Sequence, residues 1–183
     1  MERGTDVAIS DAQYQAWLSN AQAERVLLAE VKAYSDASEV TRYLGSKYFQ
    51  TGASDSPANT IYEGILKENP FFSTTMSEAF GGRSFISIGS LLIDNGDGAK
   101  DSWITDAWDG RDATLKFGDP TWAISDFRTI LSGVVERLQV SDDLTLELII
   151  RDKQRTLDVP IQTTFISSGE STDQVVPLCY GEV

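Results

Sequence analysis

Two apolar segments joined by only three residues, Ser141, Asp142 and Asp143, constrain the fold of this chain more than any other feature. Residues 144–150 alternate between apolar and polar side chains, which is the period of a β-strand with one wet face. The apolar face carries Leu144, Leu146, Leu148 and Ile150. Residues 127–140 before the turn are also strand-like. So short a connection forces an antiparallel hairpin, and the sequence therefore predicts a mainly β, antiparallel fold.

Other segments predict further strands of the same fold. Residues 26–34 and 112–117 alternate, which predicts one core-facing and one wet face in each. Residues 85–93 are apolar on both faces, which is typical of a strand in the middle of a sheet. Gly133 interrupts residues 127–140 and predicts a bend or bulge that lets this strand serve two sides of a closed barrel.

One helix is predicted near the N-terminus, over residues 10–22, and a short connecting helix over residues 101–108. Ser10 and Gln13 have the spacing of a capping box, in which each side chain satisfies a backbone N–H of the other residue. One stripe of the helix is apolar and holds Tyr14, Trp17, Leu18 and Ala21. This stripe has two possible partners, its own domain or a neighbouring subunit. We favour Tyr14, Trp17 and Leu18 as interface residues, because one apolar stripe suits docking into a groove.

The composition removes most catalytic chemistry. The 183 residues include no histidine and one cysteine, Cys179, which excludes Ser-His-Asp and Cys-His nucleophiles, histidine-ligated metals and an internal disulfide. Phosphate-binding glycine motifs and nucleophile elbows are also missing from the sequence. The 15 Lys and Arg against 28 Asp and Glu leave a net charge of −13, which disfavours binding to nucleic-acid phosphates. We therefore expect neither an enzyme nor a bound cofactor or metal.

Two local patterns still suggest ligands. Asp94, Asp97 and Asp101 lie in a glycine-containing loop, but their spacing differs from that of a calcium-binding EF-hand, and a structural turn is the favoured interpretation. Three tryptophans, at 103, 108 and 122, lie close to several aspartates. Trp103, Trp108 and Trp122 are expected to be core or interface anchors, and platforms that stack on sugars are the alternative.

The chain organisation predicts three parts. Residues 1–23 form an arm with the amphipathic helix, residues 24–160 the β domain, and residues 161–183 a C-terminal extension. No apolar run has the ~18–20 residues of a membrane helix, and the N-terminus does not resemble a signal peptide. Cys179 is expected to be a small buried apolar residue. The strand-like end of the sequence leads us to expect that the natural chain continues or completes a neighbour's sheet.

The order and spacing of eight short blocks over residues 26–183 resemble the opening domain of tail tip hub proteins of long-tailed bacteriophages, and of the related hubs of gene transfer agents. The blocks are SDSPANTIY (54–62), IDNGDGAKDSW (93–103), WDGR (108–111), GDPTW (118–122), DFR (126–128), SGVV (132–135), RDK (151–153) and PLCYG (177–181).

This resemblance implies a split β-barrel that assembles as a ring around the axial channel of a phage tail. It implies a homo-oligomer, with a trimer favoured, that lies below the distal tail ring and joins a central spike or fibre in the virion. DNA would pass through such a ring without specific binding. Some hubs carry an iron–sulfur cluster in a later domain, but Cys179 alone cannot ligate one. A carbohydrate-binding β module for host-surface glycans is the alternative function.

Overall fold

The computed structural model describes residues 8–67, 72–76 and 84–153, together with Phe165 and Gln174. The chain divides into two compact units, Met1–Asp152 and Lys153–Val183. All the helices and strands given below belong to the first unit. Cys179 and the rest of the predicted C-terminal extension, apart from Phe165 and Gln174, lie outside the described residues.

The described residues form a mainly β fold, as the sequence predicts. The helix α1 spans Asp11–Ser19. The strands are β1 (Val26–Ser35), β2 (Ser38–Gly45), β3 (Phe49–Gln50), β4 (Ile61–Tyr62), β5 (Phe72–Met76), β6 (Ser84–Asp94), β7 (Asp112–Gly118), β8 (Arg128–Asp142) and β9 (Thr145–Asp152). Two short 3-10 helices span Asp101–Thr105 and Ile124–Asp126.

Seven strands form one antiparallel sheet in the order β2-β1-β7-β8-β9-β6-β5, and β3 pairs with β4 in a separate ribbon. The long strand β8 joins two halves of this sheet. Its residues 128–134 pair with β7, and its residues 133–142 pair with β9. We call β2, β1, β7 and the start of β8 the first half-sheet. The end of β8 with β9, β6 and β5 is the hairpin half-sheet.

Gly133 lies where the two half-sheets meet, because it pairs with both β7 and β9. A Cβ atom at this position would lie 2.5 Å from the carbonyl oxygen of Arg151, so the close approach of the two backbones requires glycine. The prediction that this strand serves two parts of the sheet is thus confirmed for its two pairing partners, β7 and β9. The prediction was a bend or bulge at Gly133, and the register of β8 shifts on either side of it, between Thr129 and Leu131 against β7 and between Val135 and Arg137 against β9.

Residues 63–67, the bridge segment, connect β2 at one end of the sheet with β6 near the other. On the β2 side, the Gly45 N–H donates to the Glu63 carbonyl at 2.6 Å. On the β6 side, the Asp94 N–H donates to the Ile65 carbonyl at 2.7 Å. The sheet is therefore curled so that one short segment reaches both strands.

Two hydrophobic clusters form the core, and the larger one draws on both half-sheets. The main core contains alternating residues of β1, β7 and β9 with both tryptophans of the 101–108 region; its members include Leu27, Ala29, Val31, Leu115, Leu146, Leu148, Ile150, Trp103 and Trp108. The second cluster lies on the opposite face of β1 and contains Val26, Leu28, Phe49, Tyr62, Ile124 and Phe127. The wet face predicted for β1 is therefore wrong for the first part of this strand, where Val26 and Leu28 are fully buried.

The predicted elements agree with the structure in type and differ in detail. The capping box of Ser10 and Gln13 is present, but α1 ends at Ser19, three residues before the predicted end at Gln22. The short connecting helix predicted over residues 101–108 is present as the 3-10 helix Asp101–Thr105. Leu144 was expected on the core face of the second hairpin strand, yet 54% of its surface is exposed, because it precedes β9 at the turn.

Candidate interaction surfaces

The helix α1 packs on the first half-sheet through four rings, Tyr14, Trp17, Phe117 and Trp122, which we call the aromatic cluster. The centroid of the Trp17 ring lies 4.8 Å from that of Trp122 and 5.5 Å from that of Phe117. The centroid of the Tyr14 ring lies 5.9 Å from that of Trp122. These tilted geometries are favourable for aromatic pairs. Three of the predicted interface residues, Tyr14, Trp17 and Trp122, therefore meet in one place within the chain.

Polar contacts fix the orientation of α1. The indole N–H of Trp17 donates to Asp119 at 3.0 Å, and the backbone N–H of Ile9 donates to Asp126 at 2.9 Å. Arg128 donates to Asp11 at 2.7 Å, next to the start of the helix. Two residues of the apolar stripe, Tyr14 and Trp17, thus pack on the chain's own β domain, which is one of the two partners that the sequence left open. Docking of α1 on a neighbouring protein stays a prediction.

Leu18 remains outside the aromatic cluster. Its side chain is 43% exposed, while Tyr14 and Trp17 are partly buried. A partner that approaches α1 from outside would therefore meet Leu18 before it met either ring.

Trp103 and Trp108 are core residues. They are 5% and 4% exposed, and the indole N–H of Trp108 donates to the carbonyl of Trp103 at 2.7 Å. Arg42 and Lys100 lie over the Trp103 ring, at 5.0 and 5.1 Å from its centroid. Both tryptophans are therefore core anchors within the chain, which is one of the two roles that the sequence predicts for them, and burial leaves almost no ring surface for a sugar.

The aspartate loop at residues 94–101 is held by hydrogen bonds among its own groups. The side-chain amide of the buried Asn95 donates to Asp101 at 2.7 Å, and its oxygen accepts from the Lys100 N–H at 2.8 Å. Asp97 accepts from the Ala99 N–H at 3.0 Å. These bonds account for the carboxylates at 97 and 101 as parts of a structural turn.

A buried polar network lies beneath the second cluster. The Tyr62 hydroxyl donates to Glu30 at 2.6 Å, and Lys116 forms an ion pair with the same carboxylate oxygen at 2.6 Å. Burial raises the pKa of Tyr62 well above its ordinary value of 10.0, and the hydrogen bond to Glu30 raises it further. Tyr62 is thus a neutral donor at ordinary pH, and this network links the β3–β4 ribbon to β1 and β7.

Apolar side chains are exposed at the ends of two hairpins. Val140 and Leu144 flank the turn between β8 and β9, and each is 54% exposed. On the β3–β4 ribbon, Tyr48 is 62% and Ile61 48% exposed, while Phe49 and Tyr62 face the second cluster. The sequence reasoning missed these four residues. For Leu144 a signal was available, because a residue within a tight turn extends past the end of the sheet.

No group of three or more acidic or cysteine side chains in the described residues could hold a metal ion. Within the same ranges no helix is long and apolar enough to span a membrane. Comparison with protein-family models finds no match for the chain, and comparison with curated proteins finds none either. The functional assignment must therefore come from the residues and their arrangement.

Proposed function

We propose that this chain is a structural domain of a bacteriophage tail tip or baseplate hub. In this proposal, copies of the chain form a ring, with a trimer favoured, around the axial channel of the virion tail. The ring links the tail tube, through the distal tail ring, to a central spike or fibre. The chain acts by fitting its neighbours and catalyses no reaction.

The proposed fold is a split β-barrel, and the bridge segment supports it. Glu63 bonds to β2 while Ile65 bonds to β6, so the two distant strands are joined through residues 63–67. The long strand β8 also supports it. This strand pairs with β7 through residues 128–134 and with β9 through residues 133–142, so it belongs to both half-sheets, as a strand of a curved sheet does.

The observation that carries the assembly proposal is the exposed tip of the β8–β9 hairpin. Val140 and Leu144 lie on the longest hairpin of the sheet, and each exposes 54% of its surface to water. Water contact with aliphatic side chains is unfavourable by about 25 cal/mol per Å². An oligomer that covers this tip would recover that free energy, and exposed apolar patches commonly mark such contacts.

The charge of the chain agrees with passage of DNA through the proposed ring. A net charge of −13 repels phosphates, because attraction to DNA depends on Lys and Arg that displace its counterions. A channel wall of this chain would let DNA slide past without holding it.

Size-exclusion chromatography with light scattering, followed by electron microscopy, tests the proposal on the full chain. We expect wild-type protein to form a ring, and Leu144→Ser to shift it toward monomer with little change in melting temperature. Ile104→Ser is the matched control, because Ile104 is 49% exposed on the 3-10 helix Asp101–Thr105 and is not part of the hairpin tip. It should leave the ring intact.

Monomeric wild-type protein at every concentration would contradict the proposal. Tryptophan fluorescence of that monomer that shifts with host-surface glycans would instead support the carbohydrate-binding alternative. Locating the chain by imaging whole phage particles tests the virion assignment separately.

A further inference from the structure

Three basic side chains line one pocket of this acidic protein. The pocket has a volume of about 310 Å³ and opens at the end of the first half-sheet. Its basic side chains are Arg25, Lys47 and Lys67, and its apolar walls come from Leu27, Leu66 and Phe117. None of the described residues that line it is acidic, although the chain carries 28 Asp and Glu against 15 Lys and Arg. The described lining of the pocket is thus richer in cations than the chain as a whole.

The charge of Arg25 is not neutralised by a carboxylate in the described part of the chain. One nitrogen of its guanidinium, Nη2, donates to the carbonyl oxygens of Leu18 at 3.1 Å and Asn20 at 3.0 Å. These two bonds orient the group. Since a guanidinium has five N–H donors, Arg25 retains donors for a ligand.

The two lysines differ in how far they are compensated. Lys47 pairs with Glu24 at 3.5 Å, and both side chains are more than half exposed, so water screens this pair. The Lys67 ammonium has three partners: it lies 3.2 Å from Asp94 and donates to the Thr145 hydroxyl at 2.7 Å and to the Leu144 carbonyl at 3.3 Å. Lys47 can therefore attract a further anion, while Lys67 adds positive charge to the pocket wall.

Backbone hydrogen bonds preform the walls. Leu27 and Ser46 are tied together twice, by the Ser46 N–H to the Leu27 carbonyl at 2.9 Å and by the Leu27 N–H to the Ser46 hydroxyl oxygen at 3.0 Å. Leu66 is fixed by its N–H, which donates to the Gly45 carbonyl at 3.0 Å. A ligand would meet a site that needs little reorganisation, which favours binding.

We propose that this pocket binds an acidic peptide segment of a partner protein. A Glu or Asp carboxylate would accept hydrogen bonds from Arg25 and Lys47, while an adjacent aliphatic side chain packs on Leu27 and Phe117. A volume of about 310 Å³ has room for side chains and exceeds what a single small anion needs. The apolar walls also distinguish this pocket from phosphate sites, which are built from converging backbone N–H groups.

A titration of the full chain followed by amide NMR tests the proposal. The probe is acetyl-Leu-Glu-Leu-amide, and its control is acetyl-Leu-Gln-Leu-amide, which has the same shape without the charge. We expect saturable shifts at Leu27, Ser46 and Lys67 with the first peptide and binding weaker by about tenfold with the second, because charge-assisted hydrogen bonds are lost.

Two variants locate the effect. Lys47→Gln should weaken binding of the Glu peptide severalfold. Lys32→Gln is the matched control, since Lys32 also forms an exposed ion pair, with Glu39 at 2.8 Å, but does not line the pocket. It should leave binding unchanged.

Three results would overturn the proposal. They are equal binding of the two peptides, no saturable shift at the pocket residues, and full displacement of the Glu peptide by inorganic phosphate that alone saturates the same amides. The last result would identify a general anion site. None of these readouts depends on ring formation, so the outcome is separate from that of the proposed function.

Discussion

Two leucines in strand-like segments of the two half-sheets differ in burial. Leu28, near the start of β1, is fully buried, while Leu144, just before β9, is 54% exposed. Both residues lie in segments with a strand-like pattern. The difference is that the face of β1 opposite the main core is covered by Phe49, Tyr62 and Ile124, which come from two later parts of the chain. The tip of the β8–β9 hairpin lies beyond the core.

This contrast shows that alternation in the sequence predicts which face of the strand a side chain lies on, but not whether another part of the chain packs over that face. The residues that pack over Leu28 belong to the β3–β4 ribbon and the 3-10 helix Ile124–Asp126. We propose that a neighbouring molecule covers the hairpin tip. The first half-sheet is therefore where we expect substitutions to affect folding, and the hairpin tip is where we expect them to affect assembly.

The largest effect should come from truncating the buried leucine. Leu28→Ala removes a fully buried side chain and leaves a cavity, which should lower the free energy of unfolding by about 2–5 kcal/mol. Leu144→Ala is the matched change at the exposed position and should cost less than about 0.5 kcal/mol. Urea denaturation of both variants, measured in the same oligomeric state, checks the comparison. Similar losses in the two variants would break it.

A smaller effect is expected from the buried hydroxyl beneath the second cluster. Tyr62→Phe removes the 2.6 Å hydrogen bond to Glu30 and should cost about 1–3 kcal/mol, because the acceptor is charged and partly buried. Tyr48→Phe removes an equivalent hydroxyl from a residue that is 62% exposed, and it should be nearly neutral. An equal cost in both variants would show that the Glu30 contact does not stabilise the ribbon.

The same tyrosine predicts a pH dependence. Because the pKa of Tyr62 is raised in the folded protein, the unfolded chain loses this proton first as the pH rises through its ordinary value of 10.0. The stabilisation by the protonated hydroxyl is thus complete below pH 10 and is lost above it. The free energy of unfolding should fall less steeply above pH 10 in Tyr62→Phe than in wild-type protein.

The smallest effect on folding should come from the helix α1. Trp17→Ala removes aromatic contacts with Phe117 and Trp122 and should cost about 1–2 kcal/mol, while the sheet stays folded. Limited proteolysis should then cut the chain near α1, and assembly should weaken. Leu18→Ala, next to it on the exposed side, is the control for helix propensity. A globally unfolded Trp17→Ala protein would show that α1 is part of the core.

Much of the fold was predictable because its signals are local. The short turn at residues 141–143 requires β8 and β9 to pair antiparallel, and the capping box at Ser10 sets the start of α1. The strand β2 and the β3–β4 ribbon were not predicted. Their apolar residues are few and interrupted, and they are strands because β1 and the bridge segment offer hydrogen-bonding partners.

The candidate surfaces were less predictable, because they depend on tertiary contacts between residues that are far apart in the sequence. Trp103 and Trp108 look like Trp122 in sequence, yet they are core residues while Trp122 packs against α1. The basic pocket is assembled from Arg25, Lys47 and Lys67, which are about 20 residues apart and carry no common motif.

By itself, the amino-acid sequence determined the antiparallel class, the faces of most strands, the helix cap and the exclusion of histidine chemistry. These follow from the spacing of neighbours and from residue counts. Only the tertiary structure decided that β8 passes from one half-sheet to the other, that α1 lies on its own domain, and that three cations converge on one pocket. Such contacts join residues far apart in the chain, and their formation depends on the burial and backbone pairing of the whole sheet.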